Sequence, residues 1–294
     1  MPSAPPADLV RVPARRADTS KRDYGRVVVV GGSAGMAGAP ALAAMAALKS
    51  GAGLVEIVAP EGAAAIAATF DPCVMTRSAP AADDGTFAAA AREAVAARVA
   101  LADAVAVGPG IGRTDAVRDL VIHLWREVPQ PAVFDADALW ALAQVPPAER
   151  RRHAGPRVLT PHAGEMARLL GVPPDGPAAR DRETLEREAV AMAAGIDVVL
   201  VLKGPGTLVV DPRARARNET GNPGMATAGT GDVLTGVTAA LLAQGMGPFA
   251  AARLAAWIHG RAGDVAAAAL GATSMTARDL LDRLHVAFRE AGPG

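Results

Sequence analysis

The sequence predicts an α/β fold with a mostly parallel central sheet, helices on both faces and an antiparallel edge. Three observations predict it. Val27-Val28-Val29-Val30, Ala104-Val105-Ala106-Val107 and Val198-Val199-Leu200-Val201-Leu202 are short, continuous apolar runs, the pattern of strands buried on both faces. Helix-length segments alternate with them, which is the cue for βαβ units. The strands run into Gly31-Gly32-Ser33, Gly108 to Gly112, Asp135, His162 and Lys203. In a parallel sheet those ends share one rim, where open α/β sheets hold their ligands.

The elements follow in order. After the strand at Val27, Gly38-Ala39-Pro40 leads into an Ala-rich helix ending near Gly51, and Leu54 to Val58 is the second strand. Cys73 to Thr76 is expected as a short strand and Thr86 to Val99 as a helix of little apolar bulk. Ala104 to Val107 runs into Gly108-Pro109-Gly110-Ile111-Gly112, then a helix from Asp115 to Glu127. Ala132-Val133-Phe134 delivers Asp135 and Asp137 to its carboxyl end; they serve as turn-forming caps or as weak Mg²⁺ candidates. Arg157 to Leu159 leads to Thr160-Pro161-His162-Ala163-Gly164-Glu165 ahead of a helix, where His162 suits a helix start as well as a ligand contact. A loop is expected over Pro173 to Pro177 and a helix over Glu183 to Ala194. The strand at Val198 ends in Lys203-Gly204-Pro205-Gly206-Thr207, and Thr207 to Val210 begins the antiparallel edge. Helices near Phe249 to Ala268 and Thr276 to Glu290 close the chain.

Composition narrows the function classes. Thirty basic residues balance thirty acidic ones, so no net field favours nucleic acid or an anionic membrane. A single cysteine, Cys73, forms no internal disulfide and suits a reducing compartment. Residues 1–24 mix Pro, Ala, Arg and Asp without an apolar h-region, so a flexible arm is expected there, with one domain over residues 25–294. No apolar run is suited to crossing a bilayer, and the expected location is the cytoplasm.

The chemistry is expected around Gly229-Thr230-Gly231-Asp232. Val233, Val237, Ala240 and Leu241 recur at helical spacing behind it, so a helix begins near Gly231. The first N–H groups of a helix lack internal partners and sit at its positive end, which suits phosphate. An aspartate in that first turn is out of place beside phosphate alone. It fits as the base for a hydroxyl attacking the phosphorus; the same four residues also suit a plain helix cap. Lys203 at a strand tip either neutralises phosphate or is a solvated surface lysine. Walker, zinc-cluster and G-x-S-x-G signatures are missing, which disfavours a hydrolase or zinc enzyme.

Taken together these segments resemble one family. Gly31-Gly32-Ser33 with Gly38-Ala39, Gly108 to Gly112, Asp135-Ala136-Asp137-Ala138-Leu139, Thr160-Pro161-His162, Lys203 to Thr207 and Asn222-Pro223-Gly224-Met225-Ala226-Thr227-Ala228-Gly229-Thr230-Gly231-Asp232 follow one another in an order similar to that of the NAD(P)H-hydrate dehydratases. The likeness runs from about Gly25 to the last helix. Ala163 stands where that family often has Pro, and Trp140 where a small or polar residue is common. The stretch before Gly25 is too short for the epimerase domain often fused ahead of such proteins, so a form without it is expected.

The resemblance implies a ribokinase-like three-layer fold and ADP-dependent dehydration of the S epimer of hydrated NADH or NADPH, through phosphorylation of the ring hydroxyl and loss of phosphate. It implies Asp232 as catalytic base, and Ala39, Gly110, Gly112, His162 and Asp232 facing the hydrated nicotinamide. Lys203, Gly204, Pro205, Gly206, Thr207, Asn222, Gly229, Thr230 and Gly231 match its adenine-nucleotide positions. Mg²⁺ is expected on the phosphates, ADP (or ATP) as co-substrate, and a homo-oligomer, a tetramer, as the assembly. Three rivals remain: a small-molecule alcohol kinase on the same fold, a nicotinamide-dependent oxidoreductase suggested by the early glycines and by Glu56 at the end of the second strand, and a non-catalytic nucleotide sensor.

Overall fold

A computed structural model describes residues 5–173, 175, 176 and 181–292. The loop expected over Pro173 to Pro177 includes positions 174 and 177, which lie outside the described residues. Nine strands form one sheet in the order β3-β2-β1-β4-β5-β6-β7-β8-β9. They are β1 (Arg26–Val30), β2 (Leu54–Pro60), β3 (Met75–Ala79), β4 (Ala104–Val107), β5 (Ala132–Phe134), β6 (Arg157–Leu159), β7 (Val199–Leu202), β8 (Thr207–Val210) and β9 (Arg215–Asn218). Every pairing from β3 to β7 is parallel. The β7–β8 and β8–β9 pairings are antiparallel, which makes the predicted edge. Val28 pairs in register with Glu56 on one side and Val105 on the other. From β1 the chain builds outward to β3 and then returns to place β4 on β1's other side. Strand order therefore reverses between β1 and β4, the place where open α/β sheets hold their ligands, and the loops leaving the two strands lie against each other, with Gly32 N–H donating to the Pro109 carbonyl at 2.9 Å.

Ten helices among the described residues cover both faces: α1 (Gly38–Lys49), α2 (Glu61–Ala67), α3 (Ala91–Val99), α4 (Asp115–Glu127), α5 (Asp137–Ala143), α6 (Ala163–Leu169), α7 (Arg182–Ile196), α8 (Thr230–Ala243), α9 (Pro248–Leu270) and α10 (Ala277–Ala291). Alternation along the strands splits the core in two. Val27 and Val29 join the apolar side chains of α1, α8, α9 and α10, whereas Val28 and Val30 join those of α3 to α7. Small residues let α1 and α8 touch: a Cβ on Gly236 would overlap the backbone of Ala43. The domain packs mainly with alanine and branched aliphatics, as its composition requires.

Three sequence expectations are corrected. The third strand is Met75–Ala79 rather than Cys73 to Thr76, because Cys73 N–H is held by Asp71 in a turn (2.8 Å) and Met75 is the residue that pairs with Glu56. Helix α3 starts at Ala91 rather than Thr86. Thr86 is bound to Asp84 through backbone and hydroxyl, and Phe87 is wholly buried beside an isolated bridge to Ala81. The second strand extends to Pro60, so Glu56 lies within it and not at its end. There it is buried and clasped by Arg98 through two contacts of 2.6 Å, out of reach of any ribose at the rim. Trp140 sits on α5, half-buried and packed against the core.

Two buried arginines hold helix ends. Arg157 on β6 is 1 % exposed and donates to the carbonyls of Trp125 (2.9 Å), Gln130 (2.9 Å), Leu124 and Val128. Those from Leu124 and Trp125 are unpaired carbonyls at the end of α4, where a cation also meets the negative end of the helix. Arg150 does the same for Ala143, at the end of α5, and Leu169, at the end of α6. Burial pulls the Arg157 pKa down to about 10, so the guanidinium stays charged at neutral pH. Replacing Arg157 by Met strands several buried acceptors at once. It is expected to cost about 3 kcal/mol or more, read as a lower urea midpoint in chemical denaturation.

Residues ahead of Gly25 make discrete contacts with the domain. Asp8 pairs with Arg253 (2.6 Å), Arg15 donates to the Gly51 carbonyl (2.7 Å), and Arg15 lies over the Tyr24 ring. No helix among the described residues is long and apolar enough to cross a membrane.

Candidate active site

The rim at the carboxyl ends of the strands carries one buried charged cluster. Asp135 follows β5, and one of its oxygens accepts from Lys203 Nζ at 2.8 Å. The other accepts from Thr235 Oγ1 at 2.7 Å, across a hundred residues of chain. Lys203 follows β7 and also lies 3.6 Å from Glu165, near the start of α6. Gly231, at the start of α8, faces the same pair: a Cβ there would sit 3.4 Å from Lys203 Nζ and 3.6 Å from Asp135 Oδ2. Asp232 is the next residue.

Burial sets the titration of this cluster. By itself it would raise Asp135, but the Lys203 ammonium and the Lys203 and Thr235 hydrogen bonds override it and hold that carboxyl below its ordinary range. Lys203 behaves in mirror image: burial would lower it, but Asp135 and Glu165 raise it above its ordinary value. It is a fixed positive charge. Among the described residues Asp232 has no such direct partner. Burial, followed by repulsion from Asp135, pushes its carboxyl up to about 7, against the opposing pull of Lys203. Glu165 is raised too, chiefly by burial.

The start of α8 is open. Gly229 takes φ of 90°, a left-handed conformation that favours glycine, and a Cβ there would meet Leu42 and Ala277. No side chain among the described residues caps the helix. Among the described residues, no acceptor takes the backbone N–H of Gly229, Thr230, Gly231 or Asp232, and the first such bond runs from Val233 to Gly229 at 3.1 Å. Four donors at the positive end of a helix thus stand beside a lysine and a carboxylate of raised pKa. That arrangement can hold an anionic group and accept a proton next to it.

A second group of predicted residues gathers at the β1/β4 crevice. Gly110, with φ of 63°, backs onto Met36 and lies close to Ala39, the second residue of α1. Ser33 Oγ donates to the Gly110 carbonyl at 2.8 Å and stitches the two loops together. Gly112 N–H and Arg113 Nε both donate to Asp137, at 3.2 and 2.6 Å. The two groups meet at Ala136, which has φ of 50°. Such a conformation is strained for alanine. It lets Asp135 serve the lysine while Asp137 serves the crevice.

The other predicted residues are placed differently. His162 is the N-cap of α6, with Nδ1 accepting from Gly164 and Glu165 N–H (3.0 and 3.3 Å), while its backbone N–H donates to Glu165 (2.8 Å). Its Nδ1 lone pair is thereby occupied, so the neutral ring carries its proton on Nε2, 3.5 Å from Glu165. Gly204 and Pro205 are exposed at the turn after β7, with Gly206 in the left-handed region and Thr207 Oγ1 bonded to the Gly204 carbonyl (2.9 Å). Asn222 is bonded through its side chain to Asp264 on α9 and to Gly224 N–H (3.0 and 2.9 Å). The Thr230 hydroxyl likewise turns back to the carbonyls of Met225 and Thr227 (2.9 and 3.0 Å).

Several residues of this rim carry no obvious sequence signal. Arg182 donates to the carbonyls of Leu202, Lys203 and Gly206, and Arg217 to that of Gly206. Both arginines are joined to Glu186, whose pKa Arg217 and then Arg182 lower to about 2. Together they brace the Lys203–Gly206 turn from outside. Thr235 was findable in principle, since it lies three residues past Asp232 on the same face of α8.

As a metal site the cluster does not fit. Both oxygens of Asp135 are engaged, Asp137 is engaged by Gly112 and Arg113, and no group of three or more candidate ligands exists among the described residues.

The sequence model of the NAD(P)H-hydrate dehydratase family matches residues 27–285. The bifunctional NAD(P)H-hydrate repair enzyme of Moorella thermoacetica is 47 % identical over 280 residues, covering 95 % of this chain and 52 % of that protein. The corresponding Escherichia coli enzyme is 37 % identical over 92 % of this chain and 49 % of its own length. The chain thus spans about half the length of the curated relatives it matches. The ADP/ATP-dependent NAD(P)H-hydrate dehydratase of Bacillus subtilis, co-crystallised with ATP/Mg²⁺, superposes with a TM-score of 0.79 at 30 % identity, covering 96 % of this chain and 95 % of that one. A ribokinase-like superfamily protein of Enterococcus faecalis shares the fold, with a TM-score of 0.77 at 24 % identity.

Proposed function

Since the chain belongs to the NAD(P)H-hydrate dehydratase family, we propose that it restores the S epimer of hydrated NADH or NADPH to NAD(P)H, with ADP as the nucleotide and ATP as its substitute. The observation that carries this reading is the open, uncapped start of α8 with Asp232 in its first turn and Lys203 beside it. Hydroxide leaves poorly from a reduced nicotinamide ring, and a phosphate ester leaves well. The ring hydroxyl attacks the terminal phosphorus of the nucleotide, its oxygen bonds to phosphorus, and the bond to the departing nucleotide breaks. Asp232 takes the hydroxyl proton. The N–H groups of Gly229 to Asp232 hold the phosphoryl oxygens as charge spreads over them. The ring nitrogen lone pair then expels phosphate, and loss of a proton from the neighbouring ring carbon restores the dihydropyridine.

The residues divide the substrate between them. The Ala39, Gly110 and Gly112 crevice receives the hydrated nicotinamide, with His162 on its flank. The Lys203 to Thr207 turn and the Asn222 loop receive the adenine nucleotide. Because the described residues offer no cluster of free ligands, Mg²⁺ would be brought by the nucleotide and would supply charge neutralisation at its phosphates. A homo-oligomer, taken to be a tetramer, and a cytoplasmic location complete the proposal.

The test is direct. Incubation with hydrated NADH, Mg²⁺ and either nucleotide returns the near-UV absorbance of the dihydronicotinamide with stoichiometric phosphate release. A stable phosphate ester as the only product points to an alcohol kinase instead. A pH profile gives a second check. Asp232 acts as base only when ionised, so kcat/KM rises by one proton's slope through its pKa of about 7 and levels off above. A flat profile across that pH would exclude Asp232 as the base.

A further inference from the structure

Helix α9 presents the segment His259-Gly260-Arg261-Ala262-Gly263-Asp264 to the nucleotide loop. His259 is buried, and its Nε2 lies 2.8 Å from the carbonyl of Thr230, in the first turn of α8. A carbonyl only accepts, so Nε2 carries the proton and donates. Burial lowers this imidazole to about 4, so it is neutral across the working pH range. One turn further on, Asp264 spends one oxygen on each of two loop residues, Gly221 N–H and Asn222 Nδ2, both at 3.0 Å. Between them the two glycines clear the way. A Cβ at Gly260 would overlap Thr220, and one at Gly263 the Met225 side chain. Thr220 also donates to the Trp257 carbonyl at 3.0 Å.

We infer that the His259–Asp264 segment is the positioning platform of the nucleotide site. His259 fixes the phosphate-holding turn through Thr230, and Asp264 fixes the loop ahead of it through Gly221 and Asn222. Neither side chain touches the nucleotide. The glycines are the condition for the loop to lie on the helix at hydrogen-bonding distance, and the two polar side chains then set its position from below. This rests on the nucleotide reading of the preceding section.

Calorimetric titration of the full chain with ADP in the presence of Mg²⁺, and separately with adenosine, tests the inference in His259→Leu, His259→Gln and Asp264→Ala. His259→Leu removes the donor at similar volume and is expected to weaken ADP about tenfold while adenosine binding is unchanged. His259→Gln keeps a donor and is expected within about threefold of the wild type. Asp264→Ala is expected to weaken ADP about tenfold. Wild-type ADP affinity in His259→Leu overturns the inference. So does equal loss of ADP and adenosine in that variant, or a Gln variant no better than the Leu one, since either marks mere core damage. A wild-type protein that binds ADP without restoring NADH brings down the proposed reaction alone, and the variants still decide the platform. One that does not bind ADP brings down both.

Discussion

Asp232→Asn is expected to lower turnover by roughly two to four powers of ten while ADP still binds, because general-base catalysis is worth that much and the amide cannot take the proton. The same substitution is expected to stabilise the protein. The Asp232 carboxyl is raised to about 7, so the fold favours its protonated form. That preference is fully present below the ordinary carboxylate pKa and is lost as pH rises through about 7, where the fold must hold an unpaired, largely buried charge. Asparagine never bears that charge. At about pH 8 the variant should gain about 2–4 kcal/mol over the wild type, and the gain should vanish towards about pH 4. Thermal melts across that range separate a functional carboxylate kept at a cost in stability from an ordinary helix cap. In an ordinary cap the ionised carboxylate favours the helix start, so the variant would be no more stable than the wild type at about pH 8.

Lys203→Met should damage both stability and activity, by separable routes. The ammonium is the direct ionic partner of Asp135 and lies close to Glu165. Its loss leaves Asp135 buried with Thr235 alone, at an expected cost of about 3–5 kcal/mol. Turnover at neutral pH should fall at least about a hundredfold, as when one preorganised electrostatic partner is removed from other sites. Lys203 also pulls the Asp232 pKa down, so the rising limb of the pH profile should move to higher pH in whatever activity remains. The double variant Lys203→Met with Asp135→Asn removes the stranded carboxylate. It should recover most of the stability and little of the activity, measured by urea denaturation beside the coupled assay. Recovery of both would make the lysine a structural residue only.

The rim was legible because its information is local. Apolar runs such as Val27 to Val30 mark a buried strand without reference to any partner, and the glycines or charges that follow them end up at one edge through parallel topology alone. The start of α8 was legible for the same reason, from two glycines and an aspartate ahead of a helical apolar repeat, but that it is uncapped was not. Pairings over long distances in the chain were not. Glu56 looked like a strand-end acid until Arg98, 42 residues away, was found to clasp it within β2. Strand β9 reads Arg-Ala-Arg-Asn, too polar for a strand pattern, and exists because β8 offers it a ladder at the sheet edge. His259 and Asp264 sit on an Ala-rich helix whose sequence carries no sign of the loop lying over it. The motif around Asn222 carries no sign that Asp264, 42 residues away, holds its side chain.

A crystal structure with ADP and Mg²⁺ bound tests the central claim most directly. The account predicts terminal phosphate oxygens about 2.7–3.1 Å from the N–H groups of Gly229 to Asp232, with the Asp232 carboxylate next to the phosphorus on the side open to the Gly110 crevice. Phosphates seated instead on the Gly31–Ser33 turn, with the start of α8 left to solvent, would contradict it.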